Sequence, residues 1–97
     1  MSTHIVMMKL TEHGAKMIKD APARIDGAVK NLEAMGGKMT AFYLTTGEYD
    51  YVAVGEVPND AVLLTFLLGL GAMGTVRTTT LRVFSREELA SALKKLP

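Results

Sequence analysis

The order of extended and helical segments is the feature that most constrains how this chain folds. Apolar and β-branched runs predict strands at about 4–10, 38–44, 48–57 and 75–84. Apolar residues at helical spacing predict helices at about 21–35 and 61–70, and a short helical turn over 12–18 follows the first strand. Strand, helix, strand, strand, helix, strand is the order of the split β-α-β arrangement. We therefore expect an α+β fold, with a four-stranded antiparallel sheet and both main helices on one face.

Residues with capping or helix-breaking roles mark the ends of these helices. Asp20 is a candidate N-cap with Pro22 in the first turn, and Gly36-Gly37 supplies the stop. The Ser-x-x-Glu pattern at 85–88 has the form of a capping box and predicts a short C-terminal helix. One stripe of that helix carries Leu89, Ala92, Leu93 and Leu96. The sequence thus predicts a ferredoxin-like domain with one added helix.

The turn at Thr45-Thr46-Gly47 joins the two middle strands and decides which residues share a face. A three-residue loop with Gly47 in the left-handed conformation places Tyr43 opposite Tyr49. On that pairing, the face without helices carries Met39, Ala41, Tyr43, Tyr49 and Tyr51. The residues expected to point at the helices are Phe42, Leu44, Val52 and Val54. A one-residue error in the loop would exchange the set on one strand.

The sheet is predicted to be apolar on both faces, although the helices cover only one. In the first strand both alternating sets are apolar or weakly polar: His4, Val6 and Met8 on one side, Ile5 and Met7 on the other. The second helix is apolar around almost its whole circumference over 62–70. Only the C-terminal helix is left to cover the second face. We therefore expect a second copy of the chain to cover it, in a homodimer or a higher homo-oligomer.

Composition narrows the class of protein. With 97 residues, 48% hydrophobic and 22% charged, the chain is expected to form one domain over 1–97. Its 11 basic and 10 acidic residues give a net charge of +1 without a basic stripe, which disfavours nucleic acids and membrane surfaces as partners. The lack of cysteine excludes thiolate chemistry, and two histidines without helical spacing form no metal motif. Because no secretory signal or membrane span is apparent, we expect a cytoplasmic protein, and we expect no cofactor.

The hairpin also carries a resemblance to a known family. Residues 42–51 read FYLTTGEYDY, which resembles the signature of the GYD family, where a Gly, a Tyr and an Asp lie at this hairpin. In order along the chain, the resemblance also includes Pro22-Ala23-Arg24, Gly36-Gly37, Glu56-Val57-Pro58-Asn59-Asp60, Gly74 and Val76-Arg77-Thr78-Thr79-Thr80. It implies a ferredoxin-like fold related to the dimeric α/β barrels, and a family whose biochemical role is unassigned.

Candidate ligand-binding residues lie near this hairpin and on the last strand: Tyr43, Tyr49, Asp50, Arg77 and Thr79. Arg77 can hold a carboxylate with two hydrogen bonds, and Asp50 is its expected partner in the empty protein. Each residue also has a structural interpretation. Asp50 can accept backbone N–H bonds and fix the hairpin, tyrosines are common at interfaces, and threonine is a good strand former.

Arg24 is a second arginine that can bind an anion. It lies early in the first main helix, where it can equally pair with Asp20 or with another surface acid. The sequence leaves both interpretations open.

Three functions remain open, and we favour the first. It is a ligand-binding or regulatory module, in which oligomer interfaces form pockets for a small carboxylate-bearing or aromatic molecule. The second is a cofactor-independent enzyme of the dimeric α/β barrel type, an isomerase or a monooxygenase. Its titratable group would be Asp50, Glu56 or His4 in a closed apolar pocket. The third is an assembly protein that binds no ligand.

Overall fold

The structure is a computed structural model that describes residues 1–97. Its strands are β1 (Ser2–Leu10), β2 (Lys38–Leu44), β3 (Tyr51–Val57) and β4 (Val76–Val83). Its helices are α1 (Glu12–Lys16), α2 (Ala21–Ala34), α3 (Asp60–Ala72) and α4 (Arg86–Leu93). A short 3-10 turn, Ile18–Asp20, leads directly into α2.

The four strands form one antiparallel sheet in the order β2-β3-β1-β4. The central strands are β1, which was predicted to be apolar on both faces, and β3, because each pairs on both sides. The order confirms the predicted ferredoxin-like α+β fold. None of the helices combines the length and the hydropathy that a membrane-spanning helix requires.

Most of the predicted helix ends are confirmed. Asn59 caps α3 by accepting a hydrogen bond of 3.0 Å from the backbone N–H of Val62, and both bonds of the capping box between Ser85 and Glu88 are formed. Asp20 occupies the N-cap position of α2, but its side chain makes no capping bond. The preceding 3-10 turn holds Asp20 at φ −90° and ψ −1°, which is not the extended conformation a capping side chain needs.

The core lies between the sheet and the helices α2 and α3. The buried sheet residues all lie on the helix-facing side: His4, Val6, Met8, Tyr51, Ala53 and Val57. From the helices, Leu32 of α2 and Phe66 of α3 pack against Val57. Burial therefore concentrates on one face of a sheet that is apolar on both.

The hairpin between β2 and β3 corrects the predicted pairing. The loop has six residues, 45–50, and Tyr43 pairs with Val52 rather than with Tyr49. The register therefore shifts by an odd number of residues, so Tyr51 faces the core while Val52 and Val54 face away from the helices, opposite to the prediction. Asp50 is bonded on both sides in this register: its carbonyl accepts from the N–H of Thr45 at 2.8 Å, and its own N–H donates to the carbonyl of Met8 in β1 at 2.9 Å.

An irregularity in β2 produces a second correction. The register shifts between Met39 and Ala41, as at a β-bulge, and the Thr40 hydroxyl donates to the carbonyl of Val54. Because the extra residue changes the alternation, Met39 packs against the buried core together with Phe42. Met39 was predicted on the other face.

Two features outside the core also bear on the predictions. Gly47 has φ 101°, which confirms the predicted left-handed conformation within the longer loop. Every residue of α4 is exposed, including Leu89 and Leu93 of its apolar stripe. The C-terminal helix therefore does not cover the second face of the sheet.

Candidate functional site

The face of the sheet without helices is a continuous, mostly apolar surface, which we call the open face. Because the strands pair in register, its residues form rows across all four strands. One row contains Tyr43, Val52, Met7 and Thr79, and the next contains Ala41, Val54, Ile5 and Leu81. The side chains of Tyr43 and Leu81 are exposed to 62% and 46%. No element of this chain packs on these rows.

One end of the open face is charged. Lys9 and Arg77 are neighbours in the register of β1 and β4, and both are exposed. Lys9 forms an ion pair of 3.4 Å with Glu48, and its ammonium lies 5.5 Å from the centre of the Tyr49 ring. Arg77 forms no ion pair. The 45–50 loop thus approaches the open face through Lys9.

Asp50 binds backbone rather than a side chain. Its carboxylate Oδ2 accepts a hydrogen bond of 2.8 Å from the N–H of Leu10, and its carbonyl accepts one of the same length from Thr45. These bonds extend the pairing of β3 with β1 by one residue and close the hairpin loop. The geometry supports the structural interpretation of Asp50.

The predicted ligand-binding residues are brought together only in part. Tyr43 and Thr79 lie in one row of the open face, and Arg77 and Tyr49 lie at its charged end. The expected pair between Arg77 and Asp50 is not formed, because the Asp50 carboxylate is bonded to the backbone of β1. Whether these residues bind a ligand stays a prediction.

The other titratable candidates are separated from one another. His4 is buried on the helix-facing side of β1, where its Nδ1 has no hydrogen-bond partner. Glu56 lies in β3 opposite Lys38 and Thr3, at the end of the sheet away from Asp50. Asp50, His4 and Glu56 therefore do not form a common cluster.

A cavity that the sequence did not predict lies on the helix-facing side. It has a volume of about 80 Å³, and the sheet, α2 and α3 form its walls, which are almost wholly apolar. A groove of about 310 Å³ runs between α2 and α3, and it shares Arg24, Ala28, Phe66, Leu70 and Met73 with the cavity. Apolar helical spacing could have placed most of these residues in the core, but it carries no signal for a gap between the two helices.

Arg24 is the one charged residue in either wall. Its Nη1 donates to the carbonyl oxygen of Met17 at 2.9 Å, and it forms no ion pair with Asp20 or any other acid. Of the two interpretations that the sequence left open, the pairing of Arg24 with a surface acid is therefore not the one observed. Arg24 is half-buried as a whole residue, near the end of α2 where the chain enters the helix, and its hydrogen bond to Met17 is exposed.

A β-α-β-β-α-β element order with an antiparallel sheet of order β2-β3-β1-β4 and both main helices on one face defines a ferredoxin-like domain. The chain belongs to the GYD family, since the GYD domain model matches residues 4–93. This confirms the resemblance carried by the hairpin.

One curated relative is similar over its full length. It is a protein of Thermus thermophilus named glutamine synthetase and cystathionine beta-lyase binding protein. The identity is 35% over 95 residues, covering 97% of this chain and 100% of the relative.

Two solved structures share the fold. A feast or famine regulatory protein of M. tuberculosis, complexed with L-methionine, superposes with a TM-score of 0.66 at 20% identity over 88% of this chain. The chain spans about half of that protein, 51% of its length. A protein named FFRP-DM1 gives a TM-score of 0.58 at 20% identity, covering 87% of this chain and 100% of its own. At these identities the likeness shows the fold alone.

Proposed function

We propose that this protein is a self-associating binding module, in which a second copy of the chain covers the open face. The observation that carries the proposal is the open face itself. Its two central rows consist of apolar residues, tyrosine and threonine, and Tyr43 is mostly exposed while Leu81 is nearly half exposed. Contiguous apolar surfaces of this kind mark interaction sites.

The size of the open face indicates how it is covered. Four strands about 4.8 Å apart, each about seven residues long, give a footprint on the order of 400 to 500 Å². A stable interface buries about 800 Å² on each partner. The open face alone therefore supplies roughly half of a standard interface.

Other exposed apolar residues of the same chain supply the remaining area on this proposal. Leu89, Leu93 and Leu96 follow one stripe of α4 and its extension, each more than half exposed. In a symmetric dimer each chain contributes its α4 in the same way, so each additional contact is made twice.

The binding role, as opposed to assembly alone, is supported by the relatives. The protein that is 35% identical over its whole length is named for binding two enzymes, and the structural neighbours include a regulatory protein complexed with an amino acid. On this proposal the charged end of the open face, with Lys9 and Arg77, lies at the rim of the interface. Ligand binding by Tyr43, Tyr49, Asp50, Arg77 and Thr79 remains part of the proposal.

The experiment tests partner binding together with self-association. The purified chain is immobilised, and glutamine synthetase and cystathionine beta-lyase from the same organism are passed over it. We expect saturable binding of at least one enzyme to the wild type and weaker binding to Tyr43→Asp, because that change places a charge in the interface. Failure of both enzymes to bind a self-associated wild type would favour the assembly protein without a partner.

A further inference from the structure

Arg24 is in an unusual electrostatic position. Its guanidinium has one hydrogen bond, to the carbonyl of Met17, and no carboxylate within ion-pair distance. Neither the cavity nor the groove beside it is lined by any aspartate or glutamate. A guanidinium that lacks a counter-charge beside an apolar pocket favours an anion, which would form charge-assisted hydrogen bonds with its remaining N–H groups.

The groove beside Arg24 is open because two helical glycines face it. Arg24, Gly27, Ala28 and Asn31 follow one face of α2, at helical spacing. Across the groove, α3 presents Gly69 between Phe66 and Met73. A Cβ atom added at Gly27 or at Gly69 would meet nothing within 4 Å. Small residues at both positions therefore leave space between the helices that larger side chains would fill.

The groove continues into an apolar interior. The cavity beneath it is lined by 19 residues, of which 16 are hydrophobic, including Phe42, Tyr51 and Phe66. Its volume of about 80 Å³ is roughly half that of an aliphatic cavity of about 150 Å³ that admits benzene. Space of this size admits a tail of a few carbons and excludes a long acyl chain.

We propose that the groove and the cavity together bind a small monocarboxylic acid with a short apolar tail. The carboxylate lies on the guanidinium of Arg24, and the tail enters the cavity between the helices and the sheet. This site lies on the opposite side of the sheet from the open face. The inference names a ligand class for the proposed binding module, but it does not depend on self-association.

The test is an NMR titration of the isotope-labelled, full-length protein with sodium pentanoate at constant ionic strength. We expect saturable shifts of the backbone amides of Gly27 and Gly69 at millimolar pentanoate. Acetate lacks the tail and 1-pentanol lacks the charge, so each should bind about tenfold more weakly or worse. This comparison of ligands needs no variant, so it stands even if a substitution prevents folding.

Two substitutions test the residues. Arg24→Met keeps the aliphatic part of the side chain and removes the charge, and it should weaken pentanoate binding about tenfold or more. Arg86→Met removes an exposed charge from α4, outside both the groove and the open face, and is the matched control, with an expected change within about twofold. Gly27→Leu fills the groove from a position with free space. It should abolish binding while leaving the melting temperature equal or higher, because leucine favours helix more than glycine does.

Three results would overturn the proposal. They are the absence of saturable shifts at α2 and α3, equal binding of pentanoate to Arg24→Met and the wild type, and shifts confined to the open face near Lys9 and Arg77. The translational diffusion coefficient, measured on the same samples, reports the association state. A self-associated protein that does not bind pentanoate contradicts this inference alone, whereas a monomer that binds it contradicts only the proposed self-association.

Discussion

The two faces of the sheet have similar composition and very different surroundings. On β1, Val6 and Met8 face the helices and are buried to within 7% exposure, while Ile5 and Met7 face the open side and are only half-buried. Both sets are equally apolar, so another element or another chain must pack on each of them to remove it from water. The chain supplies cover for one face only. An apolar face that a chain does not cover by itself indicates association, and the face that it does cover determines the stability of the fold.

The largest difference in stability is expected between substitutions of two tyrosines beside the same hairpin loop. Tyr51 is 7% exposed against Phe42, with ring centroids 5.3 Å apart, whereas Tyr43 is 62% exposed on the open face. Tyr51→Asp should destabilise the fold by about 4 kcal/mol or more, because it buries an unpaired charge. Tyr43→Asp should leave the fold of the single chain intact within about 1 kcal/mol and reduce association. Urea unfolding followed by circular dichroism measures both, and equal losses of stability in dilute solution would contradict the assignment of faces.

The next largest difference in stability is expected between alanine substitutions of a core leucine and of a leucine on the open face. Leu32 is 2% exposed, and Leu32→Ala should lower the free energy of unfolding by about 2 to 5 kcal/mol. Leu81 is 46% exposed, so Leu81→Ala should change stability little at low protein concentration. At high protein concentration the loss of stability caused by Leu81→Ala should be larger, because association stabilises the folded wild type by mass action. A concentration-independent effect of Leu81→Ala would argue against an interface there.

A smaller effect is expected at the hairpin loop. Asp50→Ala leaves the N–H of Leu10 without its 2.8 Å bond and should cost about 1 to 3 kcal/mol. Asp50→Asn keeps an oxygen acceptor at the same position and should lose less. Thermal unfolding of the two variants measures whether Asp50→Ala loses more stability than Asp50→Asn. An equal loss in the two variants, which both lack the charge, would show that the charge matters rather than the hydrogen-bond acceptor.

The smallest effect concerns Gly47. Its φ of 101° disfavours any residue with a Cβ, although a Cβ there would meet no other atom. Gly47→Val should therefore destabilise the protein by about 1 to 2 kcal/mol through backbone strain alone. An unchanged melting temperature would mean that the loop relaxes without disturbing the pairing of Tyr43 with Val52.

Local signals predicted the fold, and distant contacts decided the details that local signals missed. Periodicity and capping residues placed every strand and main helix. In the hairpin, Tyr43 pairs with Val52 rather than with Tyr49, and Asp50 bonds both to Thr45 across the loop and to β1, 40 residues away in sequence. The position of Met39 was wrong because a bulge changes the alternation of β2. The site beside Arg24 was missed because a gap between two helices depends on how they pack, and sequence periodicity does not report that distance.

The central claim is that a second copy of the chain covers the open face, and the mass in solution tests it most directly. Light scattering at micromolar concentration should give at least twice the 10.5 kDa of one chain for the wild type. Tyr43→Asp should shift the mass towards a single chain while the circular dichroism spectrum is retained. A wild-type mass of 10.5 kDa across the micromolar range would contradict the account.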